Sequence, residues 1–443
     1  MFHSKPRVHL LPVIAFELIF VMALAANQAF AQKNSPALKV SNKVILAKQP
    51  DTYMEVRHIV ISGTNREIGK ALGDIAREWL GVKLTRYAAT VYAKANRRYM
   101  ERNYPILAKR MKGVAKSYGI SDNDDTYVTS YLMYDMGPFS CSALYLPPSV
   151  TADGHPLFVQ SVDFYTTTLR KMLGMEPVDS DRNMFSRNFV MELYPDKGYS
   201  SLVLGTWDFL NGAQSGMNSE GLVVAMLADN NGPKQDMTRP DLGDESGGGL
   251  TIFQLFRLVL DTCSTLDEAK IALLNNKLLP GFEPSHLIVS DNKGGSFIYE
   301  HSSKDLLGYI TDNGGNPQIM TNHAVHKYPN VSSFPEVPAK ATYNSFYRYR
   351  ALHDYIQGHP EKFSFNDARH ALTLVQAHTH DADEGAAFPT PCRTMWPLVW
   401  DMTKRTVEVS FYLKDGNVDT ATGVPQLLFS EPFTFTLKAK SLK

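Results

Sequence analysis

The sequence has no excess charge of either sign, because Lys and Arg together number 45 and Asp and Glu together number 45. Proteins that bind nucleic acid usually present a basic face or carry a basic net charge, so we predict no nucleic-acid partner. Aromatic residues make up 11% of the chain and charged residues 20%, which is typical of a folded globular protein. A chain of 443 residues can bury a large core in one domain or two.

Long apolar stretches are missing after the first residues, so we predict no stable membrane span in the mature protein. At the N-terminus, Lys5 and Arg7 precede a largely apolar stretch over 10–26, and the Ala-Phe-Ala sequence at 29–31 offers the small residues that signal peptidase requires. Residues 1–31 are therefore predicted to be a signal peptide, and the protein to be exported, either periplasmic or secreted. The alternative is an uncleaved membrane anchor, but the short apolar stretch favours cleavage.

Cysteine is scarce, with only Cys141, Cys263 and Cys392 in the chain. In an exported protein an odd number leaves at least one thiol without a partner in its own chain. If Cys141 is the working thiol, Cys263 and Cys392 either pair with each other or stay buried and reduced. The sequence does not choose between these two states.

Cofactor and metal motifs are also missing. The glycines at 247–249 lack the Lys-Ser/Thr of a phosphate-binding loop. His323 with His326, and His378 with His380, could each supply two metal ligands, but no third ligand follows at the spacing of a zinc protease. We therefore predict no cofactor and no metal.

Residues 32–140 are predicted to be mainly α-helical. After an extended lead-in that ends near residue 55, apolar residues recur three and four apart, and Thr64 or Asn65 is placed to cap a first helix. The sequence also predicts a helix over 122–136.

From Cys141 onward, short runs of alternating or continuous apolar residues predict β-strands. Helices are predicted at 253–262, 266–274, 344–355 and 365–376, and a late hairpin at 395–412. Strands, then helices, then more strands predict sheets and helices packed in layers.

The stretch around Cys141 reads Met136-Gly-Pro-Phe-Ser-Cys-Ser-Ala-Leu-Tyr145. A Gly-Pro turn precedes the cysteine, and an apolar run, the turn Asp153-Gly154 and a second strand-like run over 156–164 follow it, which is the pattern of a β-hairpin. This hairpin begins with a thiol, and Asp163 lies at the end of its return strand. A lone cysteine is more often a small buried apolar residue, so a catalytic role depends on the accompanying residues.

Three short motifs accompany this cysteine: Cys-Ser-Ala at 141–143, Thr-Ala-Asp-Gly-His at 151–155 and Val-Asp-Phe at 162–164. Together they resemble the start of the mature catalytic chain in cysteine-type N-terminal nucleophile (Ntn) hydrolases. The branch they are similar to is typified by acyl-coenzyme A:6-aminopenicillanate acyltransferase, and choloylglycine hydrolase and penicillin V acylase are more distant relatives. The resemblance extends over roughly 59–409.

The resemblance implies an α+β fold in which residues 141–443 form a four-layer αββα sandwich. Residues 32–140 would be a propeptide or small subunit. It also implies that the chain cuts itself between Ser140 and Cys141, where Ser140 stands in place of the more usual glycine. The freed α-amine, whose ordinary pKa is about 8, then accepts the thiol proton.

The same resemblance implies roles for four further residues. Asp163 would hold the α-ammonium and the thiol, and the side-chain NH₂ of Asn322, in Ile-Met-Thr-Asn-His at 319–323, would donate to the oxyanion of the tetrahedral intermediate. Arg348 would stabilise the nucleophile, with Arg350 as a competing candidate. Asn218 matches a Gly-x-Asn-x-x-Gly-Leu turn, for which a structural role and a site role are equally acceptable.

Two positions depart from the bile-salt branch of this group. Gln160 replaces an arginine, which argues against bile salts as substrates, and Ala228 replaces an oxyanion asparagine, for which Asp229 or Asn230 could substitute. Glu300, Asp401 and Arg393 are interpreted as structural.

The sequence thus predicts an exported, self-processing cysteine amidohydrolase or acyltransferase. It would take an acyl group from a small-molecule amide or other acyl donor through a thioester on Cys141. Its own cleaved N-terminal segment would be its partner. Two alternatives stay open. The first is an uncleaved thiol hydrolase whose base is a histidine (His155, His323, His326, His378 or His380), and the second is an inactive exported binding protein of the same fold.

Overall fold

The computed structural model describes residues 37–134, 139–172, 174–212, 214–232, 247–279, 284–302, 304, 307–336, 344–378 and 391–438. The predicted signal peptide and the Gly-Pro turn before Cys141 lie outside the described residues, as does His380. Within the described residues, no helix combines the length and the apolar character needed to cross a bilayer.

The described chain contains both helices and strands. The helices are α1 (Asn65–Ile75), α2 (Thr90–Asn103), α3 (Pro105–Ser117), the single turn α4 (Leu169–Met172), α5 (Ile252–Thr262), α6 (Leu266–Leu274), α7 (Ser345–Gly358) and α8 (Phe365–Thr373), and a π-helical turn (Ala76–Leu80) extends α1. The strands are β1 (Lys39–Leu46), β2 (Glu55–Gly63), β3 (Phe139–Leu146), β4 (Leu157–Tyr165), β5 (Arg187–Pro195), β6 (Ser201–Gly205), β7 (Gln214–Asn218), β8 (Val223–Ala228), β9 (Ser285–Ser290), β10 (Ser296–His301), β11 (Gly308–Asp312), β12 (Gln318–Met320), β13 (Cys392–Asp401), β14 (Thr406–Val409), β15 (Tyr412–Val418), β16 (Pro425–Phe429) and β17 (Phe433–Thr436).

Two large sheets form the centre of the molecule. The nine-stranded sheet has the order β1-β2-β5-β6-β7-β8-β9-β10-β11, and the six-stranded sheet has the order β12-β3-β4-β13-β14-β17. Strands β2 and β5 pair in parallel, and the other pairs in these two sheets are antiparallel. Strands β15 and β16 form a separate hairpin.

The sheets pack face to face where β3 contacts β8, and each has helices on its outer face. Helices α1, α5 and α6 contact the nine-stranded sheet, and α7 and α8 contact the six-stranded sheet. Both sheets are therefore covered on both faces, as a layered architecture requires. The predicted α+β class and the αββα layer order are confirmed.

The N-terminal region matches the prediction only in part. Thr64 caps α1 with a reciprocal capping box to Glu67, as its sequence indicates. Strands β1 and β2 lie where the extended lead-in was predicted and enter the nine-stranded sheet, and helices α1 to α3 follow them. The prediction over 122–136 is wrong in its described part, since residues 122–134 form turns and isolated bridges without a helix.

Strand β3 divides its side chains between two cores. Cys141, Ala143 and Tyr145 belong to the large core between the sheets, whereas Leu144 and Leu146 belong to the smaller core under α7 and α8. This division follows from the alternation of side chains along a strand. Ser140 and Ser142 therefore face helix α7, one residue away from a cysteine that faces the other sheet.

The chain before Cys141 is joined to the chain after it by a buried ion pair. Arg110 of α3 donates through two nitrogens to Asp261 of α5, at 2.6 and 3.1 Å, and both side chains are fully buried. Arg257 and the hydroxyl of Tyr104 donate to the same carboxylate. Helices α1 and α3 approach so closely that a Cβ on Gly69 would lie 2.1 Å from the carbonyl oxygen of Arg110. The N-terminal region is thus part of the core.

Candidate active site

Cys141 lies within β3, and the strand runs without interruption through the Ser140–Cys141 bond. Across the hairpin, Ser140 pairs with Asp163 and Cys141 with Val162. On the other side, β12 pairs with β3 up to Met320 opposite Ala143, and the same register continued by two residues brings Asn322 opposite Cys141. Three segments that are distant in sequence therefore meet at the predicted cleavage point.

Asn322 binds the peptide group at this point through its side-chain oxygen. Its Oδ1 accepts hydrogen bonds from the Cys141 N–H at 3.0 Å and from the Ser140 hydroxyl at 2.9 Å. Its Nδ2 donates to the carbonyl oxygen of Ala228 at 2.8 Å. In this structure one hydrogen of the NH₂ is donated to Ala228 and the side-chain oxygen faces Cys141, so the expected donation to an oxyanion stays a prediction. Asn322 is placed to accept from the nitrogen of Cys141.

Arg348 binds the backbone of Cys141 from the helix side. It is 1% exposed and lies in the first turns of α7, which begins after the N-cap Asn344. The guanidinium donates to the carbonyl oxygen of Cys141, to the hydroxyls of Ser142 at 2.8 Å and Ser140 at 2.6 Å, and to Asn322 Oδ1 at 2.6 Å. Arg350 contacts the carbonyl of Pro335 instead. Of the two candidate arginines, Arg348 contacts Cys141 and Arg350 contacts Pro335.

Asp163 is fully buried opposite Ser140. Its Oδ1 accepts from the hydroxyls of Ser161 at 2.7 Å and Thr394 at 2.6 Å, whereas Oδ2 has no hydrogen-bond partner in the described part of the chain. Burial raises the pKa of this carboxyl, and the charge of Arg348 opposes that effect. One carboxylate oxygen is thus buried and unused close to the Cys141 backbone.

The Cys141 thiol is protonated in the uncleaved chain. Burial raises its pKa well above the ordinary value, and the negative charge of Asp163 adds to this effect. A hydrogen bond from the backbone N–H of Asp163 and the charge of Arg348 act in the opposite direction without reversing the shift. A thiol in this state needs a proton acceptor before it can act as a nucleophile.

Asn218 lies elsewhere, at the turn between β7 and β8. Its Nδ2 donates to the carbonyls of Leu260 and Cys263 at the end of α5, and its Oδ1 accepts from the N–H groups of Glu220 and Leu222. These four bonds satisfy the whole amide. Of the two roles left open by the sequence, the structural one accounts for its position.

Three histidines of the alternative mechanism have other hydrogen-bond partners in the described structure, and burial lowers the pKa of a fourth, His378. His155 binds Asp401, His326 binds Glu300, and His323 binds Ser345, with burial lowering the pKa of His323 to about 3. Among the described residues, no histidine makes a hydrogen bond to Cys141.

Several residues of the site were not predicted. Ser142 lies on the same face of β3 as Ser140, and strand alternation could have indicated it. Thr394, opposite Asp163 on β13, and Ser345, whose hydroxyl accepts from the Asn322 N–H at 2.6 Å, carry no recognisable motif. They are brought to the site only by the fold.

The three cysteines are buried and no disulfide joins them, so Cys263 and Cys392 do not pair in this structure. A cavity of about 580 Å³ lies between the N-terminal strands and the segment 181–187, but Cys141 does not line it. Cys141 itself is 0% exposed. A substrate can therefore reach the thiol only after the surrounding chain rearranges.

Two groups of side chains in the described residues have ligand atoms close enough to share a metal ion. They are Asp153, His155 and Asp401, and the buried set Asp229, His286 and Glu300. Neither group contains a histidine pair named from the sequence, and neither includes the thiol.

Comparison with solved structures finds a mutant of the conjugated bile acid hydrolase from Clostridium perfringens, at 14% identity and a TM-score of 0.41, over 68% of this chain and 97% of that one. It also finds penicillin V acylase from Agrobacterium tumefaciens, at 17% identity and a TM-score of 0.41, over 61% of this chain and 82% of that one. A search of curated proteins finds no match.

Comparison with protein-family models matches residues 151–414 to the acyl-coenzyme A:6-aminopenicillanic acid acyl-transferase family. The matched region begins after β3 and contains Asp163, Asn322 and Arg348. The chain belongs to the acyl-coenzyme A:6-aminopenicillanic acid acyl-transferase family.

Proposed function

We propose that this protein is an exported, self-processing cysteine amidohydrolase or acyltransferase, with Cys141 as its nucleophile. The observation that carries the proposal is the convergence of Asn322 and Arg348 on the backbone of Cys141 and on its two neighbouring serines. Asn322 accepts from the Cys141 N–H, which belongs to the Ser140–Cys141 peptide, and Arg348 donates to the Cys141 carbonyl oxygen, which belongs to the next peptide, and to both serine hydroxyls. The backbone is thus held on both sides of the Cys141 Cα, which favours reaction at that residue.

In the first step, the Cys141 sulfur attacks the carbonyl carbon of Ser140. The C–N bond breaks, the thiol proton passes to the departing nitrogen, and Ser140 is left as a thioester on the sulfur. Water then hydrolyses this thioester, which gives a Ser140 carboxylate, a free thiol and a free α-amine on Cys141. Asn322 Oδ1, already 3.0 Å from this nitrogen, accepts a hydrogen bond from the new amine.

In turnover, the α-amine takes the thiol proton, since its ordinary pKa of about 8 allows it to act as a base near neutral pH. The thiolate attacks the carbonyl carbon of a small-molecule amide or other acyl donor, and the leaving group departs with a proton from the α-ammonium. Water or an acceptor amine then takes the acyl group from the sulfur. The buried, unused Oδ2 of Asp163 supports this scheme, because a cation formed at Cys141 would compensate its charge.

Export belongs to the same proposal and is supported by the basic start, apolar stretch and Ala-Phe-Ala site of residues 1–31. Purification from the culture medium or periplasm, followed by N-terminal sequencing, tests it. A protein recovered only from the cytoplasm with residue 1 intact would contradict export but not the chemistry.

The self-processing is tested on the purified full chain by denaturing electrophoresis and intact mass. We expect two fragments, of which the larger begins with Cys141, and a single chain in Cys141→Ala. Cys263→Ala is the matched control, because it also removes a buried thiol but should still give both fragments.

Turnover is tested with a series of N-acyl p-nitroanilides from acetyl to decanoyl and phenoxyacetyl. Active protein should show an acyl adduct on the fragment that begins with Cys141 after acid quenching, and Cys141→Ala should lose at least about 10⁴-fold in rate. An intact chain that hydrolyses these amides would favour the uncleaved thiol hydrolase. An intact chain inert toward every amide and toward iodoacetamide would favour the binding protein.

A further inference from the structure

The turn that carries Asn322 rests on a buried carboxylate. Glu300, at the end of β10 and 0% exposed, accepts from the N–H of Val325 at 2.7 Å through Oε1 and from the N–H of His326 at 2.9 Å through Oε2. A carboxylate that accepts two successive backbone N–H groups fixes the path of the chain there. Asn322 lies three residues before the first of them.

His286 on β9 supports the start of the same turn. Its Nε2 lies 2.7 Å from the carbonyl oxygen of Thr321, and its Nδ1 lies 3.1 Å from Glu300 Oε1. Strands β9 and β10 are neighbours with Tyr299 opposite Leu287, so the continued register puts Glu300 opposite His286. The pair therefore holds the residues on both sides of Asn322.

The hydrogen-bond geometry fixes one ring hydrogen of His286. A carbonyl oxygen can only accept, so Nε2 carries a hydrogen toward Thr321. Glu300 lies on the other side of the ring, and the carboxylate of Asp229 has an oxygen within 4.8 Å of both.

Further contacts connect this pair to Asn322. The carbonyl of Ala228, which directly precedes Asp229, accepts from Asn322 Nδ2 at 2.8 Å, and the N–H of Asn230 donates to the Asn322 carbonyl at 2.9 Å. The His286 ring, the two carboxylates and the 228–230 segment thus surround the residue that faces the nitrogen of Cys141.

We propose that His286 and Glu300 are positioning residues for acyl transfer, which act by holding the 321–326 turn so that Asn322 Oδ1 meets the nitrogen of Cys141. The inference rests on the proposed function for its effect on rate, but not for the state of the turn itself. Neither side chain touches the thiol, so substrate binding should be little affected. A displacement of about 1 Å in a positioning group can cost roughly 10²-fold in rate.

The test uses Glu300→Gln and His286→Gln in the full chain, assayed with the most reactive p-nitroanilide of the series. We expect kcat of the cleaved protein to fall about 10²-fold with KM changed by less than about threefold. Hydrogen exchange of the 322–326 amides should accelerate in both variants. Glu192→Gln is the matched control, since Glu192 makes a 2.8 Å bond to His58 in the same sheet but supports no part of this turn. It should keep both the rate and the exchange pattern.

The wild-type protein provides a measurement that does not depend on folding of the variants or on activity. In ¹⁵N-histidine-labelled protein, Nε2 of His286 should carry the hydrogen that is donated to the Thr321 carbonyl oxygen. A ring without hydrogen on Nε2, a stoichiometric divalent metal found by elemental analysis and bound by Asp229, His286 and Glu300, or unchanged kcat and exchange in both variants would each overturn the proposal. Turnover that survives in Cys141→Ala would contradict the proposed function instead, and the ring and exchange measurements would still decide the role of the pair in the turn.

Discussion

Asp261 and Asp163 are both fully buried, yet their hydrogen-bond partners and the directions of their pKa shifts differ. Asp261 uses both oxygens, accepting from Arg110, Arg257 and Tyr104. Although burial raises its pKa, the two arginines outweigh that effect, so the pKa of Asp261 is lowered. Asp163 uses one oxygen, and burial leaves its pKa raised.

The two aspartates show how cationic partners stabilise a buried negative charge. A carboxylate with two cationic partners is costly to disturb, because removing it leaves those partners buried and unpaired. A carboxylate with an unused oxygen keeps a capacity for another donor. If the Ser140–Cys141 bond is cut, the new α-ammonium supplies such a donor. The first cluster joins the two halves of the chain, and the second is available for chemistry.

The largest effect is expected at the compensated cluster. Asp261→Asn should lower the free energy of unfolding by about 3–5 kcal/mol, since it leaves Arg110 and Arg257 without their counter-charge. Urea denaturation in a Cys141→Ala background, where the chain stays in one piece, measures this. Asp208→Asn is a control, because this buried aspartate accepts hydrogen bonds from backbone and amide groups and has no arginine partner in the described residues. A loss at Asp261 no larger than at Asp208 would contradict the comparison.

The second prediction concerns the uncompensated cluster. Asp163→Asn should lower kcat about 10²-fold, because the neutral amide cannot stabilise an α-ammonium at Cys141. Its free energy of unfolding should change by no more than about 1 kcal/mol, since the acceptor for Ser161 and Thr394 is kept and an unpaired buried charge is removed. Steady-state kinetics and urea denaturation check the two parts. A variant that loses stability and keeps activity would reverse the assignment of the two aspartates.

Much of the site could be read from the sequence, because its residues lie at strand ends and in short motifs. Cys141 and Asp163 follow from the hairpin pattern, and their cross-strand neighbourhood follows from a turn of known position. Arg348 was indicated by the resemblance to the family, and its contact with Cys141, in place of Arg350, became visible only in the fold.

The rest required the fold. The orientation of the Asn322 amide is set by three donors that converge on Oδ1, two from β3 and one from α7, and no local pattern encodes that convergence. The entry of β1 and β2 into the large sheet was also hidden, since β2 pairs in parallel with β5, more than a hundred residues later in the chain. Non-local pairing of this kind leaves no periodic signal in either strand.

A smaller effect is expected where the two halves of the chain pack together. The N-terminal segment supplies β1 and β2 to the sheet, so after cleavage the two fragments should elute together in native gel filtration and separate only in denaturant. Gly69→Ala should weaken their association or the fold by about 1–3 kcal/mol, because the added methyl meets the Arg110 backbone. Gly81→Ala is a contrast, since nothing lies within 4 Å of its Cβ position, although its φ of 70° adds some backbone strain. If the two fragments separate in native buffer, the packing between them does not hold the cleaved protein together, and the prediction is wrong.

The smallest effect expected is a difference in pH dependence. Because the pKa of Asp163 is raised above its ordinary 3.8, the folded state keeps a proton that the unfolded state releases, and unfolding free energy falls as pH rises through that window. The slope is at most about 1.4 kcal/mol per pH unit for one proton. The pKa of Asp261 is lowered in the folded state, so this residue adds stability at pH values above its pKa in the unfolded chain. That contribution is lost only as pH falls through its pKa in the folded state. In the Cys141→Ala parent, the free energy of unfolding should therefore fall as pH rises above 4. Asp163→Asn should remove this fall, and Asp261→Asn should retain it. Parallel pH profiles for Asp163→Asn and its parent would mean that Asp163 is ionised in the fold, with its charge already compensated before cleavage.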